Sequence, residues 1–313
     1  MLKTKAKRME KAVEVMLEKP LERRSFLKGA MVAAAAVVAP FQTAKAADFS
    51  WDHFFQKHYK EMTPEDKQKV LARIAKDIKQ DYNRDVTVKD PQPKPNTHYA
   101  YFLNLSKCNG SRRCVEACVK ENNQSRDPQI QYIKVIEMDL STMNLEKGNM
   151  YYDGKSVPKP GKFYLPVQCN QCNNPPCVKV CPVEATWKEP DGIVVVDYDW
   201  CIGCRYCQAA CPYEARHFNF TKPKIPEAEI NPNQNYLSNR IRPKGVMEKC
   251  TFCLHRTREG LNPACMDVCP TGARRFGNLL DKDSEVSQIM KKKKVFALKE
   301  ELNTAPQFFY YFD

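Results

Sequence analysis

Cys201-Ile-Gly-Cys204-Arg-Tyr-Cys207-Gln-Ala-Ala-Cys211-Pro212 is the stretch that decides how this chain folds. Its x₂, x₂, x₃ spacing with a following proline is the run that holds paired iron–sulfur clusters. Two-residue gaps let one loop place three thiolates on three iron corners of a cubane. The fourth cysteine is carried away on the next turn and ligates the other cluster of the pair. Proline after it has no N–H to offer and ends the loop. Such a pattern moves electrons.

The same ending recurs on either side. Upstream stands Cys169-x₂-Cys172-x₄-Cys177-x₃-Cys181-Pro182, and downstream Cys250-x₂-Cys253-x₁₁-Cys265-x₃-Cys269-Pro270. Furthest upstream, Cys108-Asn-Gly-Ser111-Arg-Arg-Cys114-x₃-Cys118 keeps the spacing if Ser111 stands where the second cysteine belongs. That substitution explains a total of fifteen thiols where four sets of four need one more. Serine is a poor iron ligand unless deprotonated. Three states of that site stay open: a [3Fe–4S] cluster, a fourth iron retained by serine alkoxide or water, or no cluster.

Other uses of cysteine fit less well. Zinc ribbons close four ligands on themselves and do not need Cys-x₃-Cys-Pro three times. An odd count at such dense spacing suits a disulfide framework poorly. In Cys250-Thr-Phe-Cys253-Leu-His255 the histidine falls one residue too late for c-type haem attachment.

Arg23-Arg24-Ser-Phe-Leu-Lys28 before a weakly apolar run is a twin-arginine export signal. The run from Gly29 to Pro40 is shorter than the about 20 apolar residues a membrane-spanning helix needs. Ala44-Lys45-Ala46 offers a cleavage site and a mature start near Ala47; an uncleaved amphipathic anchor is the alternative. Clusters are built in the cytoplasm, so a route that carries folded proteins suits this chain. The expected location is the periplasmic face of the cytoplasmic membrane, held peripherally.

The formal charge of +13 includes ten Lys/Arg and four Asp/Glu before Ala47, so +7 remains beyond them. Each cluster with its thiolates contributes roughly −2, which brings the loaded protein near neutrality. Apart from Lys291 to Lys294 there is no dense basic run, so a nucleic-acid partner is not expected.

The expected fold class is α+β: tandem bacterial-ferredoxin-like units with inserted loops, small hairpins and short helices. Residues 1–46 read as the signal and 47–98 as an arm. In the arm, Phe49, Trp51, Phe54 and Phe55 lead to a helix capped at Thr63-Pro64, then a linker at Pro91, Pro93 and Pro95. Strand composition marks Tyr99 to Leu105, Ile130 to Met138 and Phe163 to Val167. Ala185 to Asp197 reads as a hairpin about Asp191-Gly192. Residues 139–162 and 219–245 read as inserted loops. Residues 281–313 read as a helix near Ser284 to Lys293 and then a docking tail, Phe308 to Phe312, with a core role for those aromatics left open.

Gln168-Cys-Asn-Gln-Cys-Asn-Asn-Pro-Pro-Cys177, Cys201-Ile-Gly-Cys-Arg-Tyr-Cys207 and Glu248-Lys-Cys-Thr-Phe-Cys253 resemble the four-cluster electron-transfer subunit of complex iron–sulfur molybdoenzymes. Relatives of that subunit serve dimethyl sulfoxide and polysulfide reductases, menaquinone reductase and alternative complex III. The likeness covers about residues 99–280. It implies that 99–138 with 245–280 form one unit and 163–218 the other. It further implies three [4Fe–4S] clusters and one [3Fe–4S] or atypical cluster. Cys108, Ser111, Cys114 and Cys269 would hold the odd one. The others would take Cys118, Cys250, Cys253 and Cys265; Cys169, Cys172, Cys177 and Cys211; and Cys181, Cys201, Cys204 and Cys207.

The same resemblance places the Cys108 cluster toward a molybdopterin-type catalytic or multihaem cytochrome subunit. It places the Cys201 cluster toward a multi-span quinone-binding membrane subunit. No nucleophile–base constellation is present, so the chain is expected to relay electrons without catalysing a reaction. Arg112, Arg113 and Arg205 either screen cluster charge or are simply solvated. His217 and His255 lie beside cluster loops, where a bond to sulfur competes with ordinary surface or core roles. The rival function is a freestanding periplasmic polyferredoxin or hydrogenase partner.

Overall fold

The computed structural model describes residues 63–141 and 147–313; the export signal, the Ala44–Ala46 site and Phe49 to Phe55 lie outside them. Two units are distinguished, Met1–Thr63 and Pro64–Asp313. In chain order the second contains α1 (Pro64–Tyr82), β1 (Thr87–Lys89), β2 (Tyr99–Asn104), α2 (Arg113–Glu121), β3 (Lys134–Asp139) and β4 (Lys162–Val167). Next come α3 (Pro176–Lys179), β5 (Thr186–Lys188), β6 (Val194–Val196), α4 (Tyr206–Ala209), β7 (His217–Phe218), β8 (Asn233–Asn235) and β9 (Met247–Glu248). Last are α5 (Leu254–Thr257), α6 (Ala264–Asp267), β10 (Arg274–Asn278), α7 (Glu285–Lys292), β11 (Val295–Phe296) and β12 (Phe308–Tyr311). Among the described residues no helix is long and apolar enough to cross a membrane.

β2 is the spine. All six of its residues are buried, and its sheet runs β10-β2-β12-β11. β10 pairs with it antiparallel, Arg274 opposite Leu103, and β12 pairs parallel, Phe308 opposite Tyr101. A strand covered on both faces has no polar side to show, hence Tyr-Ala-Tyr-Phe-Leu-Asn without alternation. Tyr101 and Leu103 face the main core with Phe308 and Tyr310, while Ala100 and Phe102 face α7 through Val286. α7 starts where Ser284 accepts a hydrogen bond from the Ser287 N–H.

Of the two roles open to the C-terminal aromatic run, docking strand or core element, it takes the core one. Phe308 and Tyr310 are fully buried, and Tyr101 stacks on Phe308 with ring centroids 5.1 Å apart. Only Phe312 of that run is well exposed. The run joins the core because β2 otherwise has a bare edge on this side.

α1 packs on the body through Ile74 and Ile78, and Tyr82 Oη donates to the Pro223 carbonyl at 2.9 Å. The 219–245 segment is irregular, as expected of an insert, but it is largely buried from Tyr236 to Arg242. Buried irregular backbone needs polar partners. Asparagine supplies them: Asn239 Nδ2 donates to the Asn233 carbonyl and Asn123 Nδ2 to the Asn239 carbonyl. The Arg242–Glu248 ion pair, fully buried at 2.8 Å, ties the insert to β9.

Candidate iron–sulfur sites

One backbone device recurs in all four thiol loops. The residue before the second ligand position has positive φ: Gly110 (76°), Gln171 (44°), Gly203 (72°) and Phe252 (51°). That left-handed step turns the chain so that both neighbouring side chains face one centre. Glycine is required at Gly203, where a Cβ would sit 2.2 Å from the Gly245 carbonyl oxygen. Arg112 and Arg205, one residue after Ser111 and Cys204, share the left-handed conformation at φ 56° and 66°. Ser111 thus occupies the same loop position as Cys204.

A second device follows each Cys-Pro. Glu184, Glu214 and Gly272 are left-handed and donate N–H to the carbonyls of Cys181, Cys211 and Cys269. These turns carry the thiol to one side and launch the strands β5, β7 and β10.

The loops bring the thiols together in groups. Burial pushes the Cys118 thiol well up, and Cys250, Cys253 and Cys265 beside it push the same way. Cys172 rises to about 12, first by burial and then through Cys169, Cys177 and Cys211. Cys207 rises to about 11 by burial, with Cys201, Cys177 and Cys181 adding to it. Cys108, also raised to about 11 by burial, feels Cys114 and Cys269. Cys269 goes down instead: burial is the largest influence and raises it, but Thr271 Oγ1 and backbone N–H groups outweigh it.

Two of the groups ring pockets, one lined by Cys181, Cys201, Cys204 and Cys207, the other by Cys169, Cys172, Cys177 and Cys211. Among the described residues no three of His, Cys, Asp and Glu close on the position of a single metal ion. Tetrahedral zinc at about 2.3 Å from each sulfur would draw the thiols to one point. Thiols spread round a pocket suit a polynuclear cluster. The raised proton affinity of Cys118, Cys172 and Cys207 means that their ionisation needs a compensating positive centre, which cluster iron would supply.

The groups also follow one another in series: after burial, the largest cause in each, Cys114 raises Cys265, Cys169 raises Cys250, and Cys177 raises Cys207. Three buried cations stand between successive groups, and sequence reasoning missed all of them. Arg274 Nη2 is 3.4 Å from Cys114 Sγ, Arg216 Nη2 is 3.0 Å from Cys177 Sγ, and Lys249 Nζ donates to the Cys250 carbonyl at 2.6 Å. A signal existed: Cys-Pro-x-x-Ala-Arg occurs at both 211–216 and 269–274.

The residues named from sequence have other partners. Arg112 donates to the Tyr152 carbonyl, Arg205 lies over the Phe218 and Phe220 rings, and Arg113 is exposed. His255 spends both ring nitrogens on Ser238 and Glu121, and His217 stacks on Tyr132.

Paired thiol loops on short strands and one-turn helices define a ferredoxin-like electron carrier. A 4Fe-4S dicluster domain matches residues 161–230 and 234–279, and a twin-arginine translocation pathway signal sequence matches 20–40. The chain is 41% identical to a putative dimethyl sulfoxide reductase iron-sulfur subunit of Halobacterium salinarum, over 68% of this chain and 79% of that one. It is 42% identical to an Hdr-like menaquinol oxidoreductase iron-sulfur subunit of Archaeoglobus fulgidus (63% and 71%). With the menaquinone reductase iron-sulfur cluster-binding subunit of Nitratidesulfovibrio vulgaris it shares 39% (68% and 88%). The chain belongs to this family of iron–sulfur subunits of reductase complexes, whose members transfer electrons and leave substrate chemistry to other subunits. Its signal directs export across the cytoplasmic membrane.

Proposed function

We propose that the exported chain relays electrons at the periplasmic face between a quinone-binding membrane subunit and a catalytic or cytochrome subunit. Cys108, Cys114 and Cys269 hold a three-iron cluster beside Ser111. Cys118, Cys250, Cys253 and Cys265 hold the second cluster, and Cys169, Cys172, Cys177 and Cys211 the third. Cys181, Cys201, Cys204 and Cys207 hold the fourth. When bound, these clusters supply one-electron carriers; the protein spaces them, buries part of their sulfur and sets their electrostatic surroundings.

The observation that carries the direction of docking is the surface round Cys204, the one exposed cysteine of the fifteen. Trp200, Ile202, Tyr206 and Phe220 are 51%, 43%, 63% and 58% exposed around it. Arg205 links the patch by lying over Phe220, 5.7 Å from the ring centroid. Exposed aromatics beside an exposed ligand are what a partner covers when electrons must cross a short gap. The names of the menaquinone and menaquinol relatives support a quinone-linked partner.

Changing Tyr206 and Phe220 to serine tests it. Membrane-bound protein should fall by about tenfold or more, since truncating a central interface aromatic costs about 2 kcal/mol. Iron content should hold. A double variant that stays on the membrane points instead to a freestanding carrier or a different docking face. Export is tested separately: with Arg23 and Arg24 both replaced by Lys, loaded protein should accumulate in the cytoplasm. Cluster-loaded protein still found outside would refute that route.

A further inference from the structure

Six basic side chains are nearly or fully buried, and they divide by what faces them. Arg240, Arg242 and Arg258 have carboxylates against them, Asp199 at 3.1 Å, Glu248 at 2.8 Å and Asp191 at 2.8 Å. Arg216, Arg274 and Lys249 have none: no ion pair among the described residues includes them. An unpaired charge in a protein interior is strongly disfavoured, so a negative centre must answer each. Arg216 and Arg274 face sulfur, and Lys249 faces backbone carbonyls beside a thiol pocket.

Each also sits where two thiol groups meet. Arg216 lines both pockets, 3.0 Å from Cys177 Sγ of one group, with Cys207 of the next near its charge. Thr186 Oγ1 accepts from its Nη2 at 3.0 Å, while Nη1 is buried without a partner. Arg274 reaches Cys114 at 3.4 Å on one side. On the other its Nη1 lies 3.4 Å from the Tyr101 hydroxyl, which is 3.2 Å from Cys265 Sγ. Lys249 binds the Cys250 carbonyl and the Val194 carbonyl and lines the Cys169–Cys172 pocket. Among the described residues one buried cation without a carboxylate partner thus stands between each two successive thiol groups.

We propose that Arg216, Arg274 and Lys249 are gap charges, each shared by two neighbouring clusters and holding both of their potentials up. The inference rests on the four-cluster reading. An electron added to one cluster raises the cost of adding one to its neighbour. A fixed positive charge between them stabilises the reduced form of both and offsets that repulsion, so that neighbours can be reduced together. The electron leaves one cluster and enters the next while the cation is unchanged, so nothing else need be consumed.

The test is a potentiometric titration of the full, cluster-loaded chain followed by electron paramagnetic resonance, with iron counted on the same samples. In Arg216→Met the two clusters flanking residue 216 should both become harder to reduce. Their reduced-to-oxidised ratio at fixed potential should drop at least tenfold, about 59 mV for one electron. The other two should move much less. Arg216→Lys keeps the charge and should restore most of the shift. Arg274→Met should move the other pair. A loaded Arg216→Met protein with unmoved potentials, with one cluster moved, or with all four moved equally overturns the proposal. If Arg216→Met loses iron, Arg216→Lys decides: retained iron supports a charge role, and equal loss shows that shape is what matters. Wild-type protein with far fewer than about 15 irons would refute the four-cluster reading itself.

Discussion

Removing residues 304–313 should abolish folding of the loaded protein, not merely its docking. The deletion takes β12 from the side of β2, with four residue pairs from Phe308–Tyr101 to Tyr311–Asn104. Phe308 and Tyr310 leave the main core and Phe309 and Tyr311 leave the face under α7. Truncating one buried phenylalanine costs about 3–5 kcal/mol, against about 5–15 kcal/mol for a whole domain. Losing both buried rings and a strand exceeds that reserve.

The same segment also braces a thiol loop. The Asn173 and Asn174 N–H groups donate to the carbonyls of Ala305 and Thr304 at 2.8 and 3.0 Å, next to Cys172. Thr304 Oγ1 meets the Tyr213 hydroxyl at 2.6 Å, close to Cys211. Iron at the Cys169–Cys172–Cys177–Cys211 site should therefore be lost together with the thermal transition. Phe308→Ala is the graded version, with a markedly lower Tm and a partial loss of iron. A truncated protein that melts like the parent and keeps its iron would restore the docking role for this segment.

What could be read from sequence was what is local. The hairpin at Ala185 to Asp197 forms as β5 and β6 because Asp191-Gly192 encodes the turn, with Gly192 at φ 85°. α1 begins at Pro64, directly after the expected cap Thr63, and α7 lies within the expected Ser284 to Lys293. Long-range partners were harder. Phe-Phe-Tyr-Tyr carries no polar alternation, and such a run describes an exposed docking strand and a strand buried on both faces equally well. Only the place of β2 beside it decides. The 219–245 insert shows the same limit: Pro and Asn mark irregular backbone, but they cannot say that its amides are turned inward. The cysteine groups were suggested by spacing and resemblance. The buried cations were not, because Arg216 and Arg205 look alike until burial separates them. One is 2% exposed and the other lies over surface rings.

Ser111→Cys should convert the first site from three irons to four. Ser111 follows a left-handed glycine and precedes a left-handed arginine, as Cys204 does, so a thiol there would point where Cys204 points. The loop is held in that shape by its cover. Tyr152 Oη donates to the Gly110 carbonyl at 2.7 Å, and the Tyr164 ring leaves no room for a Cβ on Gly110. Substituting sulfur for oxygen at Ser111 leaves that cover intact.

An alkoxide at Ser111 would need local positive charge, and the site already carries several thiols. Their effect is visible at Tyr152, whose hydroxyl is raised well above its usual range by burial first and by Cys108 and Cys114 after it. A surrounding that opposes a phenolate opposes the more basic alkoxide more strongly. Arg274 lies against Cys114 and answers the thiolates, while the Arg112 guanidinium donates to the Tyr152 carbonyl and lies over the Tyr152 ring. On the proposed reading, in which no thiol is offered to a fourth iron at this site, the parent protein should show the near-isotropic signal of an oxidised three-iron cluster with about 15 irons. The variant should lose that signal and hold about 16. Its added low-potential corner should also make the site harder to reduce, so reduction of the first site should shift to lower potential than in the parent. A parent that is silent when oxidised and already holds about 16 irons, with no change on Ser111→Cys, would show that serine or water retains the fourth iron.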